Sequence, residues 1–200
     1  MTTKRRNTEI RRLQIMDAAR ELIVKHGSEY VTVRRIARAV DISEAAIYRH
    51  FKSKGDIFFF LADQFEANLV GDIEKGLSAG DSSLDAIDRV IMDHISAIEQ
   101  RHGVSHQAIA DIISMGDKKL NARFYQIVSK YIDILAELID RGIKSRELRQ
   151  DIDPQAAAMQ LYGMIQGLVN IWTLSNFSFN LVEKYKPLWK MFRDSIAAKA

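Results

Sequence analysis

Apolar residues recur along this chain at the three- and four-residue spacing of amphipathic helices, and no stretch alternates as a strand does. The pattern predicts an all-α protein of about nine helices joined by short loops. Pro154 marks one helix start, because proline fits the first helical turn. The predicted helices span residues 8–26, two short patterns within 32–51, 53–77, a stretch that follows the loop at 80–83 and runs to about 100, 104–114, 117–144, 154–174 and 181–197.

Two short helical patterns lie between residues 32 and 54, separated by a turn at residues 40–42. Thr32 and Ser43 can each cap a helix, since a hydroxyl accepts from the backbone N–H groups that open it. Asp41 stands where the turn needs a left-handed residue. The first pattern is expected to bury one stripe, formed by Val33, Ile36, Ala37 and Val40.

The second pattern is expected to bury Ala46 and Ile47 and to turn its polar and aromatic residues outward. The outward residues are Glu44, Ala45, Tyr48 and Arg49. Two short helices with such an outer face are typical of a helix-turn-helix that docks in a DNA major groove. Ser53, with Asp56 three residues later, is expected to start the next helix. Sequence-specific DNA binding is therefore the leading hypothesis.

Charge divides the chain into two parts. Residues 1–55 hold 13 Lys and Arg against 6 Asp and Glu, whereas residues 56–200 hold 16 against 20. A basic N-terminal part followed by an acidic C-terminal part is typical of a protein whose N-terminal domain binds a polyanion. We therefore expect a DNA-binding domain at 1–55 and a second domain at 56–200. A basic tail precedes the helix-turn-helix and is expected to be disordered before DNA binds; its basic residues are Lys4, Arg5, Arg6, Arg11 and Arg12. On DNA it is expected to reach a phosphate or the minor groove. The alternative is that the tail stays in solvent.

The amino-acid composition argues against several other classes of protein. Without cysteine there is no disulfide framework, and no apolar run approaches the ~20 residues of a membrane span. No hydrophobic segment follows the basic N-terminus, so the chain is expected to be cytoplasmic and not secreted. No nucleophile with a base, and no glycine-rich phosphate loop, stands out, so neither enzyme activity nor a cofactor is expected.

Three histidines, His94, His102 and His106, with Asp111 nearby in sequence, raise the question of a metal site. Gly103 is expected to break the helix between them, and no further carboxylate or cysteine completes a ligand set. The sequence therefore predicts no metal site, and these histidines are expected to lie at the surface or to cap helices.

The N-terminal part of the chain carries the motifs Ile15-x-x-Ala18-Ala19-x-x-Leu22-Ile23, Gly27, Thr32, Ile36-Ala37 and Ile42-Ser43-Glu44-Ala45-Ala46-Ile47-Tyr48-Arg49-His50-Phe51-x-Ser53-Lys54. With these motifs, residues 8–75 resemble the tetracycline-repressor family of bacterial one-component transcription regulators. Three positions depart from the family pattern, which commonly has Gly at the turn, Gly early in the recognition helix and Glu after Ser-Lys. They are Asp41, Ala45 and Gly55.

The resemblance implies roles for the DNA-contacting residues. In the family, the positions of Thr32, Tyr48, His50 and Lys54 usually bind backbone phosphates. Arg34 and Arg35 are expected to add phosphate or groove contacts. Ser43, Glu44, Ala45 and Arg49 are placed toward the bases, where an arginine can bind guanine bidentately.

The resemblance also implies a ligand pocket among the central helices. Its candidate lining residues are large and apolar or aromatic, with a few polar tips: Phe65, Leu69, His94, Ile98, Met115, Phe124, Tyr131, Leu135, Met164 and Trp172. Such a lining suits a largely hydrophobic ligand. The alternative for each of these residues is an ordinary place in the core.

The last two long helices are expected to pair with those of a second copy. Small residues let two helices approach closely, and the candidate line is Gly163, Gly167, Asn170 and Leu174. The alternative is that these glycines ease packing within one subunit. A homodimer would present two recognition helices to a palindromic operator.

The sequence thus predicts a transcriptional regulator that a small hydrophobic ligand releases from double-stranded DNA, with the protein located at the nucleoid when bound. The alternative is a DNA-bound protein-interaction factor. The recognition helix is also similar to that of the nucleoid-occlusion branch of the family, which needs no small-molecule inducer.

Overall fold

The computed structural model describes residues 3–76, 82–101 and 103–198, and of residues 3–5 and 72–76 it describes the backbone only. The described part is built from nine α-helices, one short 3-10 turn and no strand. The predicted all-α class is confirmed. The helices are α1 (Thr3–His26), α2 (Val33–Ala39), α3 (Glu44–Tyr48), α4 (Lys54–Gly76), α5 (Ser83–Gln100), α6 (Val104–Ser114), α7 (Lys118–Lys144), α8 (Pro154–Leu174) and α9 (Leu181–Ile196), and the 3-10 turn is Ser28–Tyr30.

The predicted helix bounds agree with the observed ones to within a few residues, except at the start of α1. That helix already begins at Thr3, and not near residue 8. The basic segment that was expected to be disordered is therefore helical, since no proline or glycine interrupts it before Gly27. Gly80 and Asp81, in the predicted loop before α5, lie outside the described residues.

The chain forms two compact units. The first holds the described residues up to Glu66 together with Val104–Tyr125, and the second holds Ala67–Gly103 and the described residues from Gln126 onward. These units differ from the functional division predicted at residue 55, because α6 and the beginning of α7 pack with the N-terminal helices.

In the first unit, α1 packs against α2, α6 and the 3-10 turn, and α2 packs against α3. The core of this unit includes Ile15, Ile23, Ile36, Ile47 and Phe58, all fully or almost fully buried. In the second unit, α9 packs against α5 and α8 around a core that includes Ile91, Leu135, Leu161, Ile165 and Tyr185.

Two helix starts in the second unit are satisfied by glutamates from elsewhere in that unit. The Glu147 carboxylate accepts from the N–H groups of Ser83 and Leu84, at 2.7 and 2.9 Å. The Glu99 carboxylate accepts from the N–H of Leu181 at 2.5 Å. Because the first N–H groups of a helix have no partner within it, these contacts stabilise the starts of α5 and α9, together with the caps at Ser82 and Asn180.

No helix in the described ranges is both long enough and apolar enough to cross a membrane.

Gly142 is the glycine that the packing of the second unit requires. A Cβ atom built there would lie 2.7 Å from Leu148 Cδ1 and 3.0 Å from Ser83 Cβ. Leu148 is almost fully buried, and its Cγ would also lie only 2.8 Å from the added atom, so a change of its Cδ1 position alone does not relieve the contact. We therefore expect Gly142→Ala to lower the free energy of unfolding by about 1–3 kcal/mol, measured by urea denaturation.

Gly55→Ala is the matched control, because a Cβ there would meet only Ser53 Oγ at 3.5 Å, an ordinary contact. Alanine favours the helix more than glycine does, so this variant should gain about 0.5 kcal/mol. Equal stability of the two variants would contradict the close packing of Gly142.

Candidate nucleic-acid interface

The two helices of the helix-turn-helix begin at the predicted capping residues. Thr32 Oγ1 accepts from the Arg35 N–H at 3.2 Å, and Ser43 Oγ accepts from the Ala46 N–H at 3.1 Å. Both hydroxyls keep a hydrogen that can be donated to a phosphate oxygen. Between the helices Asp41 has φ 52°, which confirms the left-handed turn residue predicted there.

Helix α3 presents the outer face that the sequence predicts. Ile47 is fully buried and Ala46 is half-buried, whereas Glu44, Ala45, Tyr48 and Arg49 are exposed. Tyr48 is 53% exposed, so its ring lies at the surface and not beneath the helix. The side chains predicted to face the bases therefore stand together on one accessible surface, as major-groove reading requires.

The start of α4 is also capped as predicted. Ser53 Oγ accepts from the Asp56 N–H at 3.1 Å, and the Asp56 carboxylate accepts from the Lys52 N–H at 2.9 Å. This reciprocal arrangement places Lys54, a predicted phosphate ligand, at the first residue of α4.

Arg35 is held in place by Tyr30, a residue that sequence reasoning missed. One guanidinium nitrogen of Arg35 donates to the Tyr30 carbonyl oxygen at 2.6 Å, and the guanidinium lies 3.6 Å from the centre of the tyrosine ring. A stacked and hydrogen-bonded arginine loses less conformational freedom when it binds a phosphate. Arg34, the neighbouring candidate, is exposed.

His50 and Lys54 lie half-buried beside α3. Burial lowers the pKa of His50, and the positive charges of Arg11, Arg49 and Arg12 lower it further, so the imidazole is neutral at neutral pH. A phosphate beside it would favour the charged form instead. The Lys54 ammonium donates to the Ser28 carbonyl oxygen at 3.5 Å.

Arg12 does not belong to a free tail. Its guanidinium lies 4.8 Å from the centre of the Phe51 ring and 4.2 Å from that of Phe60. Cation–π contact with two rings holds α1 against the end of the helix-turn-helix. The expectation that Arg12 is disordered before DNA binds is wrong for this reason.

The ten pocket candidates fall in both units. Phe65, Met115 and Phe124 belong to the first, where Phe124 is buried and Met115 is exposed at the end of α6. In the second unit Met164 is half-buried, and the buried candidates are Leu69, His94, Ile98, Tyr131, Leu135 and Trp172. The structure therefore brings most of the second-unit candidates into its interior.

The four dimer candidates, Gly163, Gly167, Asn170 and Leu174, are all exposed on α8. A Cβ atom at either glycine would meet nothing within 4 Å. Neither glycine is therefore required by the packing that the structure describes in its own unit.

No group of three or more histidine, cysteine, aspartate or glutamate residues in the described part of the chain is arranged to hold a metal ion. His102, one of the three histidines considered for such a site, lies outside the described residues. His106 packs edge-on against Phe65, with ring centres 5.7 Å apart, and burial lowers its pKa to about 4. The expectation of a surface or capping histidine is wrong for His94, which is buried within α5.

A helix-turn-helix with capped helices, an exposed outer face on α3 and basic residues beside it is typical of a DNA-binding protein of the helix-turn-helix class. A family model described as bacterial regulatory proteins, tetR family, matches residues 15–60, and one described as the C-terminal region of YsiA-like protein matches residues 63–195. The protein belongs to the tetR family of bacterial regulatory proteins, and it is a DNA-binding transcriptional regulator.

Known relatives cover nearly the whole chain. The fatty acid metabolism regulator protein of Bacillus subtilis is 25% identical over 170 residues, 85% of this chain and 87% of the relative. Nucleoid occlusion factor SlmA of Photobacterium profundum is 25% identical over 186 residues, 90% of this chain and 93% of the relative.

The fold is also that of a solved regulator. The transcriptional regulator FadR from Bacillus subtilis, in complex with stearoyl-CoA, superposes with a TM-score of 0.76 at 24% identity. The match covers 90% of this chain and 96% of that one.

The contacts predicted for the exposed face of α3 are of two kinds, to phosphates and to bases. We expect Tyr48→Ala to weaken binding to specific and random DNA alike, because the residue is assigned to a phosphate. Arg49→Ala should mainly relax base preference, with a loss of about 1–3 kcal/mol on the specific site only. Fluorescence anisotropy with both DNA types measures the two affinities, and equal losses for Arg49→Ala on both would refute its assignment to a base.

Proposed function

We propose that the protein is a ligand-responsive repressor, released from a palindromic operator by a long-chain acyl-CoA or a ligand of similar chemistry. The observation that carries the proposal is the likeness to a fatty acid metabolism regulator, which spans both the helix-turn-helix and the body of the chain. A structural neighbour was solved with stearoyl-CoA bound, and it shares the fold over nearly its whole length.

The interior of the second unit supports a ligand with an apolar body and a polar group. His94 and Tyr131 are buried with their ring centres 5.6 Å apart, and the ring centres of Tyr131 and Tyr162 are 6.1 Å apart. The Tyr185 hydroxyl donates to the Asp88 carboxylate at 3.1 Å, and burial raises the pKa of both groups. Polar tips within an otherwise apolar lining are the usual means by which such sites orient a ligand.

Release would follow from differential affinity. A ligand that binds the DNA-free arrangement more tightly than the DNA-bound one shifts the population toward the free protein. By the same linkage, operator DNA must weaken ligand binding by an equal factor. Both halves of this coupling can be measured.

Addition of stearoyl-CoA should therefore weaken operator binding by about five- to 150-fold, the usual range for coupled sites. Titration of labelled operator in the presence and absence of the ligand gives this factor. Free coenzyme A is the control, since it carries the same nucleotide without the apolar chain, and it should leave the affinity unchanged. Operator affinity that is indifferent to acyl-CoA of every chain length would contradict the proposed ligand class.

The second candidate is a DNA-bound factor whose body binds another protein. The likeness to nucleoid occlusion factor SlmA covers even more of the chain than the likeness to the fatty acid regulator. Several apolar side chains around the turn between α6 and α7 are exposed, with Tyr125 at 74%, Ile113 at 42% and Met115 at 39%. Many scattered genomic binding sites, with no effect of acyl-CoA, would favour this function over the repressor.

The repressor is proposed to act as a homodimer through α8. Its outward face carries small and apolar residues that a second copy would cover: Met159, Gly163, Gly167, Ile171 and Leu174. An isologous interface of this kind sets two recognition helices about 34–36 Å apart, one turn of DNA, or a little more.

We expect Leu174→Glu to convert the dimer into a monomer and to abolish cooperative binding to the palindrome. Leu174 is 78% exposed, so a charge there should not disturb the fold of the single chain. Sedimentation equilibrium measures the mass. Tyr125→Glu, at a similarly exposed apolar residue in the first unit, is the matched control and should remain dimeric. A dimeric Leu174→Glu protein would place the interface elsewhere.

A further inference from the structure

The 3-10 turn Ser28–Tyr30 holds two candidate phosphate ligands by its backbone carbonyl groups. Lys54 donates to the Ser28 oxygen at 3.5 Å, and Arg35 donates to the Tyr30 oxygen at 2.6 Å. The two cations come from different helices, α4 and α2, and both reach the same short turn. The position of the turn therefore sets where both positive charges lie.

The turn is itself fixed by Asp111 of α6. The Asp111 carboxylate accepts a hydrogen bond from the Ser28 N–H, and the Ser28 hydroxyl donates to the Asp111 carbonyl oxygen at 3.4 Å. An N–H at the start of a helical turn has no partner within that turn. Ser28 is only 3% exposed, so water does not replace Asp111 easily, and the charged acceptor makes the bond stronger than a neutral one.

Helix α6 also touches the N-terminal helices at a second point. A guanidinium nitrogen of Arg20 in α1 lies 3.5 Å from the Ser105 hydroxyl oxygen. This contact lies in the same α1–α6 packing but does not involve the 3-10 turn. It therefore offers a way to weaken α6 packing without moving the carbonyl groups that hold Lys54 and Arg35.

We propose that Asp111 is a positioning residue for DNA binding: from α6 it fixes the 3-10 turn, and through that turn it places Lys54 and Arg35 against the DNA backbone. Asp111 itself does not touch DNA. The inference rests on the assignment of Lys54 and Arg35 to phosphates, and it is independent of the ligand class proposed above.

The first test is the affinity and salt dependence of Asp111→Ala. Loss of one well-placed phosphate contact lowers affinity about tenfold near 0.1 M salt and reduces the slope of log affinity against log salt by about one. We expect both changes, on specific and random DNA alike. Asp111→Asn keeps an oxygen that accepts from Ser28, so it should stay within about threefold of the wild type. Ser105→Ala should leave the slope unchanged.

A double-mutant cycle with Lys54→Ala separates positioning from general stability. If Asp111 acts through Lys54, its replacement must cost less affinity when Lys54 is already absent. Full additivity of the two losses on DNA affinity would overturn the proposal, and so would a wild-type salt slope in Asp111→Ala. Thermal unfolding of each variant is recorded alongside to establish that the protein is folded during the assay.

Amide hydrogen exchange of the wild-type protein provides a test that needs no variant, in case Asp111→Ala does not fold. The Ser28 amide should exchange slowly, since it is buried and bonded to Asp111. Exchange as fast as that of an exposed loop amide would overturn the proposal. All of these measurements use ligand-free protein, so a failure of acyl-CoA to release DNA would not affect them, whereas a wild-type protein that binds no DNA would overturn both proposals.

Discussion

The proposed DNA-reading surface depends on a helix that is too short to be stable by itself. Helix α3 has five residues, and isolated helices shorter than about 12–15 residues are marginal in water. Its orientation comes from Ile47, which is fully buried, and from the cap at Ser43. Because successive helical residues are turned by a fixed angle, burying Ile47 determines that Ala45, Tyr48 and Arg49 face outward.

The local features of this region could be predicted from the sequence. The capping hydroxyls of Thr32 and Ser43, the left-handed Asp41 and the Ser53–Asp56 pair all act over four residues or fewer. Side-chain chemistry and helical spacing are sufficient for such short distances. The same reasoning placed Pro154 at the start of α8, where Asp153 caps the helix.

The contacts that hold the local features together could not be predicted in this way. Asp111 meets Ser28 across 83 positions of the chain, and the Arg12 guanidinium meets two rings that follow it by about 40 positions or more. Neither contact belongs to a periodic pattern. In the sequence Asp111 stands out only as a neighbour of His102 and His106, yet its carboxylate accepts a backbone N–H.

The domain organisation could not be predicted from the sequence either, as the position of α6 shows. The change in charge near residue 55 marks where the basic residues end, but charge does not report which helices pack together. Helix α6 packs against α1 and the 3-10 turn, so the compact N-terminal unit includes a helix from the middle of the chain. In such a protein, contacts outside the helix-turn-helix can hold the proposed DNA-binding surface in place.

The most direct measurement of the central claim is selection from a pool of random DNA duplexes by the purified, ligand-free protein at near-physiological salt. We expect enrichment of one palindromic site, with half-sites about one helical turn apart or a little more, since two copies of α3 must enter successive major grooves. Retention of DNA without any enriched sequence would contradict base reading by α3, and no retention at all would contradict DNA binding by this surface.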